Sequence, residues 1–320
     1  MPFEELARRA AEWGYDGLEI AASGDHLDLA RADEDDAYVQ SRLDILDRHG
    51  LKVWAISNHL TGQAVCDDPI DFRHQAILRD HVWGDGDAEG VRQRAAEDMK
   101  RAARVARKLG VDVVVGFTGS SIWPYVAMFP PVPGEVIDRG YEDFANRWNP
   151  ILDVFDAEGV RFAHEVHPSE IAYDYWTSVR TLEAIDRRAA FGFNWDPSHM
   201  AWQGIDVVSF ITDFSDRIYH VDCKDTRIRK ASGRQGVLGS HLPWGDPRRG
   251  WDFVSTGHGD IPWEDAFRAL ASICYDGPIS IEWEDAGMDR LHGAAEAVRY
   301  IRSLLWKLPE ASFDAAFSNQ

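Results

Sequence analysis

Four short runs place acidic side chains where they could act together: Glu165 in Ala-His-Glu-Val-His-Pro, Asp196 in Asn-Trp-Asp-Pro-Ser-His, Asp222 in Tyr-His-Val-Asp-Cys-Lys-Asp, and Glu282 in Ser-Ile-Glu-Trp-Glu-Asp. Each lies in or just after a stretch rich in strand-forming residues, so each is expected inside the fold. A carboxylate taken out of water is costly unless it is paired or coordinates a cation. Lys224, Arg227 and Arg229 offer positive charge, and for any one of these acids alone a structural ion pair is as good a reading as a ligand. For four acids at successive strand ends, a divalent metal is the better account. The oxygen-rich set favours a hard ion, Mn²⁺ or Mg²⁺, over Zn²⁺.

The elements that must position these groups are short β-rich runs alternating with helical stretches. Strands are expected at 17–21, 52–58, 111–118, 161–167, 190–196, 218–224 and 279–283, with helices at 2–14, 90–109, 143–158, 177–187, 206–214, 263–273 and 291–306. Strand and helix repeated at this spacing imply an α/β fold with a parallel sheet. An open doubly wound sheet would be apolar on both faces. Here Glu165 and His167, Asn194 and Asp196, His220 and Asp222, and Ser280 and Glu282 occupy every second position among mostly apolar neighbours. One face that gathers acids and histidines near strand C-termini suits a (β/α)8 TIM barrel with a site at its mouth.

Only seven strands are counted, and the first readable element is a helix. The barrel's first strand is therefore expected to lie before Met1 and to be missing from the chain. The alternative is an irregular closing strand hidden in the glycine-rich stretch 227–261. No linker divides the chain, so residues 1–308 read as a single barrel and 309–320 as a C-terminal tail. The apolar tail residues Phe313, Ala315 and Phe317 suggest packing against something, another subunit of a homo-oligomer included.

Two long loops, 58–89 and 227–261, follow strands and belong at the mouth. His59, two residues past Ser57 on the same strand face, is expected to project into it, as is His167. Trp123, Trp202, Trp244 and Trp283 lie near strand ends or in mouth loops, where an indole face can stack on a bound ligand. His258 reads as a lid residue or part of a tight turn, and His74 and His81 as surface residues. The glycines at 233–245 lack the strand-to-helix context of a phosphate loop.

Composition sets outer bounds. With 54 acidic against 34 basic residues the net charge is −20, which argues against nucleic acid as a partner. The longest apolar run, near 113–117, is far short of the roughly 20 residues a bilayer span needs, and no signal-peptide pattern opens the chain. Three cysteines with no metal or disulfide spacing read as a reduced, cytoplasmic protein.

Taken together, Glu165, Asp196 followed by His199, the run from His220 to Asp225, and Glu282 resemble the xylose-isomerase-like TIM-barrel family of sugar isomerases and epimerases over nearly the whole chain. The resemblance implies that Glu165 and Glu282 both ligate a metal and serve as acid and base on opposite faces of a sugar. It also implies that Asp196 and Asp222 complete the coordination and that His199 contacts a substrate oxygen. His59, His167, His220, Lys224, Arg227, Trp123 and Trp202 are expected to line the substrate site. The implied cofactor is Mn²⁺, with Mg²⁺ or Co²⁺ as alternatives, and the implied reaction is isomerisation or epimerisation of a keto-sugar through a metal-stabilised enediolate. A lyase of the same barrel type, cleaving a 3-keto-glycoside or C-glycoside by elimination, is the second reading. This chain departs from the family in having Asp222 where the epimerases carry a metal-binding histidine, with His220 two residues earlier on the same face.

Overall fold

Pro2 and Gly14 bound the first helix, Phe3–Trp13. Pro2 sits at its N-cap, and Gly14 takes the left-handed conformation (φ 93°) that ends it. Gly14 is followed by β1 (Gly17–Ala21), and the same helix-to-strand rhythm continues through β2 (Lys52–Ser57), β3 (Val113–Gly116), β4 (Arg161–Glu165), β5 (Phe191–Trp195) and β6 (Ile218–Asp222). The chain then forms β7 (Asp225–Ile228) and β8 (Trp251–Val254), and returns to the sheet with β9 (Ile279–Ser280). This computed structural model describes residues 1–126, 129–229 and 234–306; the expected tail, 309–320, lies outside them.

Seven strands form one parallel sheet in the order β1-β2-β3-β4-β5-β6-β9, a nearly closed TIM barrel with helices around it. The main core lies between the sheet and the helices. Trp148 of the Gly134–Glu158 helix packs on Phe162 of β4 at 4.5 Å between ring centroids, and Phe193 of β5 meets Phe210 and Phe214. A separate small cluster, Ala55, Val113, Val115 and Ala163, shares the strand faces of Ser57 and Glu165 and fills the interior with short side chains.

Among the described residues β1 pairs only with β2 and β9 only with β6, so an open position lies between them. Among its described residues the glycine-rich stretch does not fill it: β7, which runs into that stretch, and β8 pair antiparallel with each other, as a two-stranded sheet apart from the barrel. Nor is 58–89 a plain loop, for it carries the short helices His59–Gln63, Phe72–Ile77 and Asp80–Trp83. His74 is not a surface residue: it is 3% exposed, closes a capping box with Asp71, and its Nε2 lies 2.9 Å from Asp67. Among the described residues no helix is long and apolar enough to cross a membrane.

Candidate active site

The strand ends deliver the acids to one place. Glu165 ends β4, Asp222 ends β6 and Glu282 follows β9, and each offers a carboxylate oxygen within 4.8 Å of the others. Asp196, one residue past β5, is the N-cap of the Pro197–Gln203 helix. Its Oδ1 accepts from the Ser198 amide at 2.7 Å, while its Oδ2 is buried without a hydrogen-bond partner among the described residues. Glu165, Asp196 and Asp222 are all at most 3% exposed.

Burial and mutual repulsion raise Asp196 well above the usual carboxylate range. Glu282 rises to about 7 through burial, against the pull of Lys224, with Glu165 and Asp222 adding repulsion. Glu165 goes the other way. Burial opposes its charge, but His59, whose Nε2 stands 2.9 Å from Glu165 Oε2, holds it ionised and well below the usual range. His59 is desolvated yet raised to about 9 by the carboxylates of Glu165, Glu282 and Glu19, and its Nδ1 meets Ser57 Oγ at 2.8 Å.

Lys224 is the buried cation of the group. Its Nζ lies 2.7 Å from Glu282 and 2.8 Å from Glu284, and 4.5 Å from the centroid of the Phe253 ring. His220 turns towards β1: its Nε2 is 2.8 Å from Glu19 Oε2, 2.9 Å from Ser280 Oγ and 3.6 Å from Asp222. Asn194 Nδ2 donates to Asp222 Oδ2 at 2.7 Å. Glu19 and Asp222, with burial opposing, raise His220 to about 10. His167 and His199 stack edge to face at 3.8 Å between centroids and offer ring nitrogens close to Glu165. Burial lowers both, His167 to about 4, so they stand as neutral hydrogen-bonding groups.

The two tryptophans of the expected site take different walls. Trp202 donates its indole N–H to His199 Nδ1 at 3.3 Å and lies nearly parallel (6°) to Trp251 of β8 at 4.7 Å. Trp244 and Phe253 extend this aromatic wall, which the β7–β8 hairpin builds. Trp123 packs instead on Tyr173 at 5.3 Å. Arg227 is exposed on the hairpin and donates to the carbonyl of His258, and His258 itself faces Glu296 at 2.9 Å. The structure thus gathers Glu165, Asp196, Asp222 and Glu282 with His59, His167, His199 and Lys224, and leaves Arg227 at the hairpin.

Sequence reasoning misses Glu19 and Glu284 as neighbours of these acids, and gives no role to Asn194 and Ser280, which it places on the same strand face. Glu19 does carry a signal, a lone carboxylate between Leu18 and Ile20 in a strand. The residues present suit a hard divalent cation: three carboxylate oxygens within reach of one another, and a fourth carboxylate with an orphaned buried oxygen.

A family model described as the xylose isomerase-like TIM barrel matches residues 7–304. The uncharacterized protein YfiH of Bacillus subtilis (strain 168) is 26% identical over 324 aligned positions, which cover 95% of this chain and 96% of that protein. Among solved structures, the chain is similar to the probable 3-DHS dehydratase AsbF of Bacillus anthracis, involved in petrobactin synthesis, with a TM-score of 0.65, 16% identity and 94% of each chain covered. It is equally similar to the 3-keto-D-glucoside 4-epimerase YcjR of E. coli, with a TM-score of 0.65, 14% identity and 94% of each chain covered. At such identities the likeness shows the shared fold.

Proposed function

The chain belongs to the xylose isomerase-like TIM barrel family, and on that premise we propose that it is a sugar-acting enzyme that isomerises or epimerises a keto-sugar by proton transfer next to the carbonyl. The observation that carries this reading is the convergence of Glu165, Asp222 and Glu282 within 4.8 Å at the ends of separate strands, the first two buried and Glu282 half-buried, with buried Asp196 beside them. A barrel mouth that concentrates this much negative charge is built for more than packing.

Glu165, Asp196, Asp222 and Glu282 would hold a divalent ion, Mn²⁺ before Mg²⁺ or Co²⁺, which when bound polarises a carbonyl and its neighbouring hydroxyl. Asp222 is the better ligand than His220, because His220 is engaged by Glu19 and Ser280. The remaining chemistry belongs to the chain. Glu165, kept ionised by His59, accepts the carbon-bound proton beside the carbonyl, and the electron pair moves onto the carbonyl oxygen to give an enediolate. Glu282, whose carboxyl is raised to about 7 and so can hold or give up a proton at neutral pH, returns a proton. Two carboxyl groups pushed apart in this way divide the roles of base and acid, each step gaining roughly 10²–10⁴-fold. Return to the same carbon from the other face gives an epimer, and return to the adjacent carbon an isomer. His199 and His167, neutral at physiological pH, hydrogen-bond substrate hydroxyls, and Trp202 offers an apolar face. Three unpaired cysteines suit a reducing cytoplasm.

A second reading is supported by the aromatic wall of Trp202, Trp251, Trp244 and Phe253. Such a wall would seat the aglycone of a 3-keto-glycoside or C-glycoside, which the same enediolate could expel by elimination. One experiment separates the two: Mn²⁺-loaded protein is incubated in D₂O with a panel of ketoses, 3-keto-glycosides and inososes, and followed by NMR. Deuterium entering beside the carbonyl without cleavage supports the isomerase, aglycone release supports the lyase, and no exchange with any of them counts against both.

A further inference from the structure

Asp222 owes its place among the acids to a slip in the sheet. In the pairing of β5 with β6, Phe193 meets Ile218 and Asn194 meets His220, so the register shifts by one residue between them. Without the shift Asn194 would stand beside Tyr219. Because side chains alternate between the faces of a strand, Val221 and not Asp222 would then share its side of the sheet. Irregularities of this kind re-aim side chains beside functional sites. On the other flank, the residue of β4 paired with Asn194 is Glu165. Asn194 therefore stands between two of the acids and on their face.

The contact it makes is directional. Asn194 Nδ2 donates to Asp222 Oδ2 at 2.7 Å, and both residues are buried. A carboxylate can only accept, which fixes the orientation of the amide. Asn194 Oδ1 is buried and meets no donor among the described residues. An unsatisfied acceptor in the interior costs stability, so the amide is a poor choice for packing, and what it offers the fold is its N–H. Asp222 Oδ1 is left without a hydrogen bond among the described residues. Its nearest cation, His220 Nε2, is 3.6 Å away and is engaged by Glu19 at 2.8 Å and Ser280 Oγ at 2.9 Å. The same division recurs in the other acids. His59 faces Glu165 Oε2, the Ser198 amide donates to Asp196 Oδ1, and Lys224 donates to Glu282 Oε1, while the second oxygen of each makes no hydrogen bond among the described residues.

We propose that Asn194 is the positioning residue for Asp222: by holding Oδ2 it stops the carboxylate from turning both oxygens onto a bound ion, so that Asp222 ligates through Oδ1 alone. The proposal rests on the reading of the four acids as one cation site. A carboxylate free to turn can chelate with both oxygens, which suits Ca²⁺ with its roughly six to eight oxygen ligands. Single-oxygen ligation suits a smaller octahedral ion such as Mn²⁺ or Mg²⁺. Asn194 thus acts on which ion the site prefers as well as on how tightly it is held.

The test is Mn²⁺ binding to the full chain, read from the electron paramagnetic resonance signal of the free ion, followed by displacement with Ca²⁺. Wild type is compared with Asn194→Leu, which keeps the approximate shape of the side chain and removes the N–H. The Kd for Mn²⁺ should rise roughly 10–100-fold, as the loss of a group that holds a metal ligand does. The preference for Mn²⁺ over Ca²⁺ should fall at least about fivefold, with circular dichroism unchanged. A variant whose Mn²⁺ Kd stays within about threefold of wild type overturns the proposal and leaves the cation site standing. Equal weakening of both ions also overturns it, since that is what general damage to the site produces. Wild type that binds no Mn²⁺ removes the cation site and the proposal together. If Asn194→Leu fails to fold, Asn194→Ser, whose side chain is too short to reach Asp222 Oδ2, is read in the same way.

Discussion

Replacing Asp225 by asparagine exchanges one acceptor oxygen for a donor at a point where only acceptors fit. Asp225 is 1% exposed. Its Oδ1 accepts from the amides of Thr226 at 2.8 Å and Ile261 at 3.4 Å; its Oδ2 accepts from the amides of Gly257 at 2.8 Å and Gly259 at 3.0 Å and from the Trp263 indole at 2.9 Å. The carboxylate therefore ties the start of β7 to the 257–261 turn and to the helix that begins at Trp263. Whichever way the asparagine amide is turned, it sets N–H against N–H. In the better orientation its oxygen keeps the three Oδ2 donors and abandons Thr226 and Ile261. One well-made charge-assisted bond and one long one are lost, and the Thr226 and Ile261 amides are left facing a donor, at a cost of about 3 kcal/mol. Urea titration followed by tryptophan fluorescence should show that loss, and calorimetry a fall in Tm of roughly 5–10 °C. Hydrogen exchange should speed up first at 255–261. A variant within about 0.5 kcal/mol of wild type would refute the view of Asp225 as the anchor of this loop.

Glu170 is fully buried, with its Oε2 accepting from the amides of Thr118 and Gly119 at 2.6 and 2.7 Å. Burial and Asp67 nevertheless raise it to about 8 from the usual 4.5. A carboxyl raised on folding contributes stability that is complete below about pH 4.5 and is lost as pH rises towards 8. Wild-type urea stability should therefore fall across that window by roughly 3–5 kcal/mol, and Glu170→Gln should flatten the slope; an unchanged slope contradicts it. His59→Ala removes the cation 2.9 Å from Glu165, so the acid limb of kcat/KM should move to higher pH and activity at pH 7 should fall about tenfold or more; an acid limb that stays in place counts against the pairing. Glu282→Gln keeps the shape but cannot deliver a proton, and turnover should drop by at least about 10²-fold; full activity would sink the two-carboxylate mechanism.

The barrel is legible because a strand's period of two sorts side chains onto faces, and Glu165, Asp196 and Asp222 fall with Asn194 and His220 on one face of their runs. The same rule underlies Glu19, a lone carboxylate in its strand, but its partner His220 lies on a strand that only the closing of the sheet brings near, so the pattern does not say which group it meets. The β7–β8 hairpin is hidden by distance: its strands are separated by the glycine-rich segment 229–250, far longer than the usual two to five residues of a hairpin loop. β9 reads as a strand to Trp283 yet ends at Ser280, since a strand extends only as far as a neighbour's backbone bonds to it and the open side of β9 has no such neighbour among the described residues. His74 looks like a surface residue because the contacts that bury it, with Asp67 and Asp71, belong to the fold of a segment without a periodic pattern. Asp225 stands in a run rich in chemistry, but its surroundings make it an anchor.

The central claim is that four inward carboxylates form one cation site. Elemental analysis of purified protein dialysed after incubation with Mn²⁺, beside an Asp222→Asn variant, tests it most directly. The account predicts one divalent ion per wild-type chain and substantially less in the variant. Wild-type protein that retains no stoichiometric Mn²⁺, Mg²⁺ or Co²⁺ would contradict it.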